Sequence, residues 1–257
     1  MASAIPPLQV TALSFLVSAG LGLLLLMLRG ELGLLRQSGL VWVHGVGGLF
    51  GYHALYFAGL GLAPVAEANL LNYLWPLLIV LFSSLLLGLR LGLARWIGLA
   101  LGGIGCALLL ARGARFGIQD RAVIGYVFAT GAGIVWALYS VLAHRFSRVP
   151  SGAIAGFCAA TALLAGITHL LFEVTVMPNA QAWLAIAAMG VGPVGAAFFL
   201  WDIGMKRGDP RLLGTLAYAT PVLSTLLLGV AGYAALTPTL LVAAGLVAAG
   251  GLIASRG

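Results

Sequence analysis

The chain is a succession of apolar stretches, each of a length that can cross a lipid bilayer. A transmembrane helix needs roughly 20 predominantly apolar residues, and we count nine candidate stretches separated by short linkers: 8–28, 40–62, 64–89, 95–110, 122–143, 151–172, 181–205, 211–236 and 238–255. The strands of a transmembrane β-barrel would alternate over about ten residues, which these stretches do not. The sequence therefore predicts an all-α integral membrane protein.

The composition argues against a water-soluble function. Charged residues make up 7% of the chain and the mean hydropathy is +1.12, whereas soluble domains contain about 25% charged residues. The net charge of +7 does not indicate nucleic-acid binding, because the basic residues lie in loops between the apolar stretches. We expect no cleavable signal peptide.

The basic loops predict the orientation in the membrane, because cytoplasmic loops carry an excess of Lys and Arg. Three Lys/Arg residues fall on the side predicted to be outside, namely Arg112, Arg115 and Arg121. The other ten are predicted to be cytoplasmic and include the C-terminal Arg256: Arg29, Arg36, Arg90, Arg95, Arg145, Arg148, Lys206, Arg207, Arg211 and Arg256.

Two parts of the chain resemble each other at a constant offset of 145 residues (221 − 76). The stretches 44–78 and 189–223 then superpose with matching glycines, and Tyr73 falls on Tyr218 and Pro76 on Pro221. The predicted orientation makes the two copies cross the membrane in opposite directions. Many transporters are built from such inverted repeats, with the substrate site between the halves.

The repeat predicts an inverted pair of five-helix bundles. An inverted tandem repeat needs an odd number of spans in each copy, and the second copy has five. We therefore expect ten helices, of which nine are visible here because the first is absent. The predicted division is residues 1–113 for the first repeat and 114–257 for the second.

Aromatic and amide side chains lie near the middle of several predicted spans, where interfacial anchoring does not explain them. Such groups must face other helices or a cavity, because they need hydrogen-bond partners in lipid. Polar contacts between helices explain any one of them equally well, but their clustering at one depth favours a substrate cavity. The candidate substrate-binding residues are Tyr52, His53, Tyr56, Asn69, Asn72, Tyr73, Trp75, Trp136, Tyr139 and Tyr218.

Two repeat-related prolines, Pro76 and Pro221, are candidate hinges, because proline bends a transmembrane helix. Plain packing explains this pair equally well. Pro193 is also expected to bend its span.

The titratable side chains do not suggest catalysis. A packed, neutral imidazole is the favoured interpretation of His53, and Asp202 and Lys206 form an expected helical ion pair at i and i+4. Cys106 and Cys158 lie within spans, where we expect neither a disulfide nor a metal site. We predict no catalytic residue, no metal site and no cofactor.

The stretch 67–78, Glu-Ala-Asn-Leu-Leu-Asn-Tyr-Leu-Trp-Pro-Leu-Leu, resembles the fourth-helix signature of the EamA-type drug/metabolite transporter superfamily. It looks most like the branch that exports aromatic amino acids. The resemblance extends over essentially the whole chain and implies two inverted repeats around a central cavity in the bacterial inner membrane. It also implies substrate contacts for Tyr52, His53, Tyr56, Tyr73, Trp75 and Trp136. The chain reads Gly88-Leu89-Arg90 where many relatives have a glutamate, so an ion pair expected there does not transfer.

The sequence thus favours a secondary transporter that exports aromatic and other large neutral amino acids by alternating access. Without a coupling carboxylate we favour downhill movement over proton antiport. The rivals are the same fold with another cargo (a small neutral amino acid, a purine or a drug-like cation), an intramembrane enzyme, and a structural subunit. We expect a monomer in the lipid bilayer, with an amino acid as its small-molecule partner and no nucleic acid.

Overall fold

A computed structural model describes residues 5–87, 92–115, 120–207 and 237–254, with single positions at 217, 220, 223, 227, 229, 230, 232 and 256. Over these residues the regular secondary structure is helical, without strands. The α-helices are α1 (Pro7–Leu28), α2 (Gly39–Leu62), α3 (Val65–Asn72), α4 (Trp75–Leu87), α5 (Leu93–Arg115), α6 (Asp120–Leu142), α7 (Ile154–Phe172), α8 (Ala180–Val191), α9 (Ala197–Arg207) and α10 (Pro238–Ala254). Short 3-10 helices cover Leu32–Leu35, Ala143–Phe146 and Ser151–Ala153.

Among the described residues, five helical segments are long and apolar enough to cross a membrane: Pro7–Leu28, Glu67–Leu86, Ala122–Phe146, Ser151–Phe172 and Ala180–Arg207. Helix α2, with 24 residues, is long enough to cross a membrane. It is not among these five segments, because its histidines and tyrosines lower its mean hydropathy. The predicted span 211–236 lies largely outside the described residues. The prediction of an all-helical membrane protein is confirmed.

Two predicted spans differ from single continuous α-helices. Stretch 64–89 is divided into α3 and α4 by a turn at Tyr73–Leu74. Pro76 explains the interruption, because it has no N–H to donate to the carbonyl of Asn72, four residues earlier. Stretch 181–205 contains a π-helix at Gly192–Ala196, which carries Pro193 and joins α8 to α9.

The chain divides into two compact units, residues 1–54 with 142–207 and residues 55–141 with 208–257. In the first unit, α1 packs antiparallel against α7. Near one end a Cβ atom on Gly22 would lie 2.8 Å from the Cβ atom of Ala155, so glycine allows this close approach. At the opposite end, the N–H groups of Leu8 and Gln9 donate to the Glu173 carboxylate over 3.1 and 3.2 Å.

Glu173 also organises the end of α7. The Nδ1 atom of His169 lies 2.8 Å from Glu173 Oε2, and the side chain of Gln9 forms two hydrogen bonds with the backbone of Val176, 2.7 and 3.0 Å long. A carboxylate at a helix N-terminus satisfies backbone N–H groups and complements the helix dipole. This polar network therefore holds the start of α1 against the end of α7.

A second buried polar network holds α9 in the same unit. Lys206 Nζ lies 2.8 Å from Asp202 Oδ2, which confirms the predicted ion pair. Asp202 also accepts a 2.5 Å hydrogen bond from Ser151 Oγ, and Lys206 donates to the carbonyl of Val149 over 2.9 Å. The two charges are 6% and 8% exposed, so the pair depends on these additional hydrogen bonds.

In the second unit, α5 packs antiparallel against α10 through glycines. A Cβ atom on Gly105 would lie 3.0 Å from the carbonyl oxygen of Ala243, and one on Gly250 would lie 2.6 Å from that of Gly98. Small residues allow such close backbone contact between membrane helices. The core of this unit contains Ala68, Leu70, Leu71, Tyr126, Ala129, Leu240, Ala243, Ala244 and Val247.

Candidate substrate-binding site

In the first unit, His53 is surrounded by aromatic rings. Its imidazole lies edge-on to Phe15 at 4.9 Å and to Phe198 at 5.8 Å between ring centroids. Tyr52 also meets it edge-on, at 4.9 Å. Phe15 and Phe198 stack at 6.0 Å with 21° between their planes. We call Phe15, Tyr52, His53 and Phe198 the His53 cluster.

The hydrogen bonding of His53 fits a packed, neutral ring. Its Nδ1 atom lies 2.8 Å from the carbonyl oxygen of Leu49, one turn earlier on α2. Since a carbonyl can only accept, Nδ1 carries a proton and donates it to this bond. The side chain is 8% exposed. Three ring contacts and this hydrogen bond give the imidazole a fixed place in the packing.

In the second unit, a hydrogen bond joins α2 to α3. The hydroxyl of Tyr56 donates to Oδ1 of Asn69 over 2.6 Å. Asn69 is 4% exposed and Tyr56 is partly buried. A short bond between two such groups satisfies both inside an apolar environment.

The interruption between α3 and α4 lies against α6. A Cβ atom on Gly133 would lie 2.8 Å from the backbone oxygen of Asn72 and 3.6 Å from the backbone nitrogen of Trp75. Tyr73 forms part of the turn itself. Gly133 thus allows α6 to approach the broken backbone, and this is where the residues of the predicted signature are concentrated.

Two indoles meet beside this interruption. Trp75, the first residue of α4, lies edge-on to Trp136 of α6 at 6.4 Å and 83°. Trp136 in turn lies 5.4 Å from the ring of Tyr139. We call Trp75, Trp136 and Tyr139 the Trp75 cluster; its members are 5–8% exposed. Offset and edge-on arrangements at these separations are favourable for aromatic rings.

The predicted site residues thus form separate groups within each unit. Tyr52 joins His53 in the first unit. In the second, Tyr56 pairs with Asn69, the backbone of Asn72 meets α6 next to Tyr73, and Trp75 joins Trp136 and Tyr139. Tyr218 and the candidate hinge Pro221 lie outside the described residues. Pro76 is the second residue of α4, directly after the interruption.

Two rings of the His53 cluster are absent from the predicted site. Phe15 lies in an apolar stretch whose polar residues, Thr11, Ser14 and Ser18, are small and do not single it out. Phe198, however, is the residue that the offset of 145 superposes on His53 (198 − 145 = 53). Following the repeat through every aromatic position would have found it, and would also have paired Tyr56 with Trp201.

Metal-binding groups are not gathered in the described parts of the chain. No three His, Cys, Asp or Glu side chains there form a group that could hold a metal ion. Cys158 is a buried free thiol, whose sulfur lies 3.6 Å from Ser18 Oγ. The described candidate residues can therefore bind a ligand through aromatic rings, amides and hydroxyls.

Known exporters resemble this chain over two thirds to nearly all of its length. An aromatic amino acid exporter, YddG of Ancylobacter novellus, is 52% identical over 254 residues, which cover 98% of this chain and 88% of the exporter. The exporter of the same name from Salmonella typhimurium is 25% identical over 221 residues, 80% of this chain and 73% of the relative. The pseudopaline exporter CntI of Pseudomonas aeruginosa is 28% identical over 180 residues, 68% of this chain and 61% of the relative.

A solved crystal structure shares the fold. It is 52% identical, superposes with a TM-score of 0.80, and the match covers 98% of this chain and 88% of the other. The model of the EamA-like transporter family matches residues 1–111 and 123–256. The chain therefore belongs to the EamA-like transporter family.

Proposed function

We propose that the protein exports aromatic and other large neutral amino acids across the bacterial inner membrane. In this proposal it works by alternating access, through a central cavity between two inverted repeats. The observation that carries the cargo is the Trp75 cluster beside the broken helix, in a chain 52% identical to an aromatic amino acid exporter.

The chemistry of the candidate residues suits such a cargo. Trp75, Trp136 and Tyr139 offer ring faces and edges for an aromatic side chain, and the same faces attract an ammonium group. Tyr56 and Asn69 supply a hydroxyl and an amide for the polar end of an amino acid. The interruption at Tyr73–Leu74 supports the site, because discontinuous membrane helices place backbone groups next to substrate in many transporters.

The positions of the helices support the inverted repeat. Shifted by 145 residues, the end of α2 at Leu62 falls on the end of α9 at Arg207, and the start of α5 at Leu93 falls on the start of α10 at Pro238. Helix α1 shifts onto α7, and these two pack antiparallel. An axis lying in the membrane plane would relate helices in this way.

The contacts of α5 with α10 support the same relation. The offset makes Ala243 the counterpart of residue 98 and Gly250 the counterpart of residue 105. Gly105 meets Ala243 and Gly98 meets Gly250, so each contact is the repeat-related image of the other. The division into repeats 1–113 and 114–257, and the total of ten helices, stay predictions. Both compact units draw helices from each proposed repeat.

The location is proposed from the membrane spans and from the loops. The family consists of transporters, and the basic loops support a cytoplasmic C-terminus under the positive-inside rule. The protein acts as a monomer in this proposal.

Movement is proposed to be downhill rather than coupled to protons. His53 is enclosed by aromatic rings and donates to Leu49, and Asp202 is occupied by Lys206 and Ser151. Both groups are therefore engaged in contacts within the first unit, which supports movement without proton coupling.

One observation favours an alternative cargo. The relative from Pseudomonas aeruginosa is named for export of pseudopaline rather than an amino acid. The alternative is therefore an exporter of another small metabolite on the same fold, such as a small neutral amino acid, a purine or a drug-like cation.

Uptake by proteoliposomes tests the proposal. The purified protein is assayed with labelled tryptophan, phenylalanine, threonine, alanine and adenine, with and without a pH gradient. Saturable uptake of tryptophan and phenylalanine, unchanged by the gradient, is the expected result. Uptake of adenine or alanine alone would establish the alternative cargo, and stimulation by the gradient would contradict downhill movement.

A further inference from the structure

An open groove of about 460 Å³ lies on the first unit, and its lining includes no residue of the His53 cluster. It runs along the second half of α1, between this helix and the segment made of α8, the π-helix and α9. Its lining includes glycines, at positions 22, 152, 190 and 195, together with larger side chains. Those side chains include Leu21, Leu25, Leu34, Val191, Phe199 and Ile203.

The length of the groove matches one leaflet of a bilayer. Its lining on α1 extends from Ser18 to Arg29, and eleven residues of α-helix rise about 16 Å. The hydrocarbon core of a bilayer is about 30 Å thick. Because α1 is a membrane span that ends at Leu28, the groove reaches from near the middle of the membrane to its surface.

The surface end of the groove carries one positive and one negative side chain. Arg29 is the C-cap of α1, and Glu31 follows two residues later; both are exposed and both line the groove. In the part of the chain that the structure describes, neither side chain belongs to an ion pair. Two complementary charges are therefore available at the level of the lipid headgroups.

A defined turn fixes these two residues. Gly30 has a φ of 67°, its N–H donates to Met27 over 3.1 Å, and the N–H of Glu31 donates to Leu26 over 2.8 Å. This is the Schellman motif, in which a glycine in the left-handed conformation ends a helix. Arg29 and Glu31 are thus held on either side of Gly30 rather than carried by a loose loop.

We propose that this groove is a binding site for phosphatidylethanolamine. One acyl chain lies along the apolar walls from the headgroup region to Ser18. The phosphate accepts hydrogen bonds from the guanidinium of Arg29, and the ammonium donates to the carboxylate of Glu31. A zwitterionic headgroup with N–H donors complements this pair of charges. Phosphatidylglycerol has no ammonium group to pair with Glu31, and its phosphate would lie near that carboxylate. The proposal is independent of the cargo.

Native mass spectrometry of the delipidated, full-length protein tests the site. The protein is titrated with three lipids that share palmitoyl and oleoyl chains: phosphatidylethanolamine, phosphatidylcholine and phosphatidylglycerol. The wild type is expected to bind phosphatidylethanolamine most tightly. Phosphatidylcholine keeps the charge but has no N–H group, so its weaker binding would report the hydrogen bond to Glu31.

Substitutions then assign the two ends of the groove. Arg29→Gln and Glu31→Gln should each weaken binding of phosphatidylethanolamine about three- to tenfold, the loss of one exposed charge-assisted hydrogen bond. Leu25→Trp should fill the groove and weaken all three lipids. Leu25 is 53% exposed, so the larger ring need not disturb the core.

Matched controls lie beside each variant. Leu24 is 46% exposed on the same helix but outside the groove lining, and Arg36 is an exposed cation in the same loop. Leu24→Trp and Arg36→Gln should leave lipid binding unchanged. Equal binding of phosphatidylethanolamine and phosphatidylcholine, a preference for phosphatidylglycerol, or equal losses in the control variants would overturn the proposal.

Discussion

The His53 cluster and the Trp75 cluster use similar residues on differently supported backbones. His53 projects from the uninterrupted helix α2, and its imidazole is enclosed by Phe15, Tyr52 and Phe198. Trp75 starts a helix directly after a break and meets Trp136 of α6. The His53 cluster is thus packed against an intact helix, whereas the Trp75 cluster lies where the regular hydrogen bonding of a helix is interrupted.

The contacts that hold the surrounding helices together also differ between the two clusters. The unit that contains His53 is tied at Glu173 and at Asp202 by buried polar networks. In the described part of the unit that contains Trp75, a close glycine contact, that of Gly133 with Asn72, lies beside the cluster itself. We therefore predict that changes around His53 act mainly on stability, whereas changes around Trp75 act on transport. The following experiments test that separation.

The largest loss of stability is expected for Asp202→Asn. It leaves the buried cation of Lys206 without its counter-charge, and breaking a buried pair costs about 4 kcal/mol. The free energy of unfolding in mixed micelles measures this loss. The double variant with Lys206→Met should recover part of it, and uptake per folded protein should be unchanged. Full stability in the single variant would show that the pair does not hold α9.

A smaller loss is expected for His53→Ala. Removing the ring leaves a cavity among aromatic side chains, at a cost of about 3 kcal/mol. His53→Phe, which introduces the residue found at the repeat-related position 198, should stay within about 1 kcal/mol of the wild type. Both should transport tryptophan at nearly the wild-type rate and with the same pH profile. Lost uptake by a stable His53→Phe protein would place His53 in the transport mechanism.

Gly133→Ala should affect both stability and transport. The added methyl group would lie 2.8 Å from the backbone oxygen of Asn72, so α6 must move, at about 2 kcal/mol. Uptake should fall because the Trp75–Trp136 contact moves with α6. Gly131→Ala is the matched control, since its nearest neighbour is a side-chain atom of Leu55 at 3.6 Å. Equal stability and equal uptake of the two variants would show that the contact of Gly133 with Asn72 has no particular importance.

The smallest change is expected for Tyr56→Phe. It removes the 2.6 Å bond to Asn69, at about 1 kcal/mol of stability. A double-mutant cycle with Asn69→Leu isolates the pair, and KM for tryptophan should rise while the maximal rate changes little. A coupling energy of zero, together with an unchanged KM, would exclude the pair from substrate binding.

The sequence predicted the parts of the fold that follow from local patterns. The apolar stretch 40–62 predicts α2 at Gly39–Leu62 within one residue, since membrane spans are defined by length and hydropathy. The i, i+4 spacing of Asp202 and Lys206 predicted their ion pair. The aromatic and amide residues of stretch 67–78 identified the neighbourhood of the broken helix.

Other features depend on contacts that local patterns do not encode. Pro76 predicted a bend, whereas the structure has a break there, with Gly133 of α6 lying against Asn72. Pro193 could have been accommodated by a kink, and the structure uses a π-helix. Phe15 joins His53 because α1 and the first part of α2, residues 39–54, belong to one compact unit, which apolar composition alone does not indicate.

The most direct test of the account is tryptophan uptake by Trp75→Ala in proteoliposomes beside Trp183→Ala. Trp75 is 8% exposed and belongs to the candidate site, whereas Trp183 is 44% exposed near the start of α8. We expect Trp75→Ala protein to remain folded and to lose uptake at least roughly tenfold, because one aromatic contact and its packing are lost. Trp183→Ala protein should keep near wild-type uptake. Undiminished uptake by a folded Trp75→Ala protein would contradict the account.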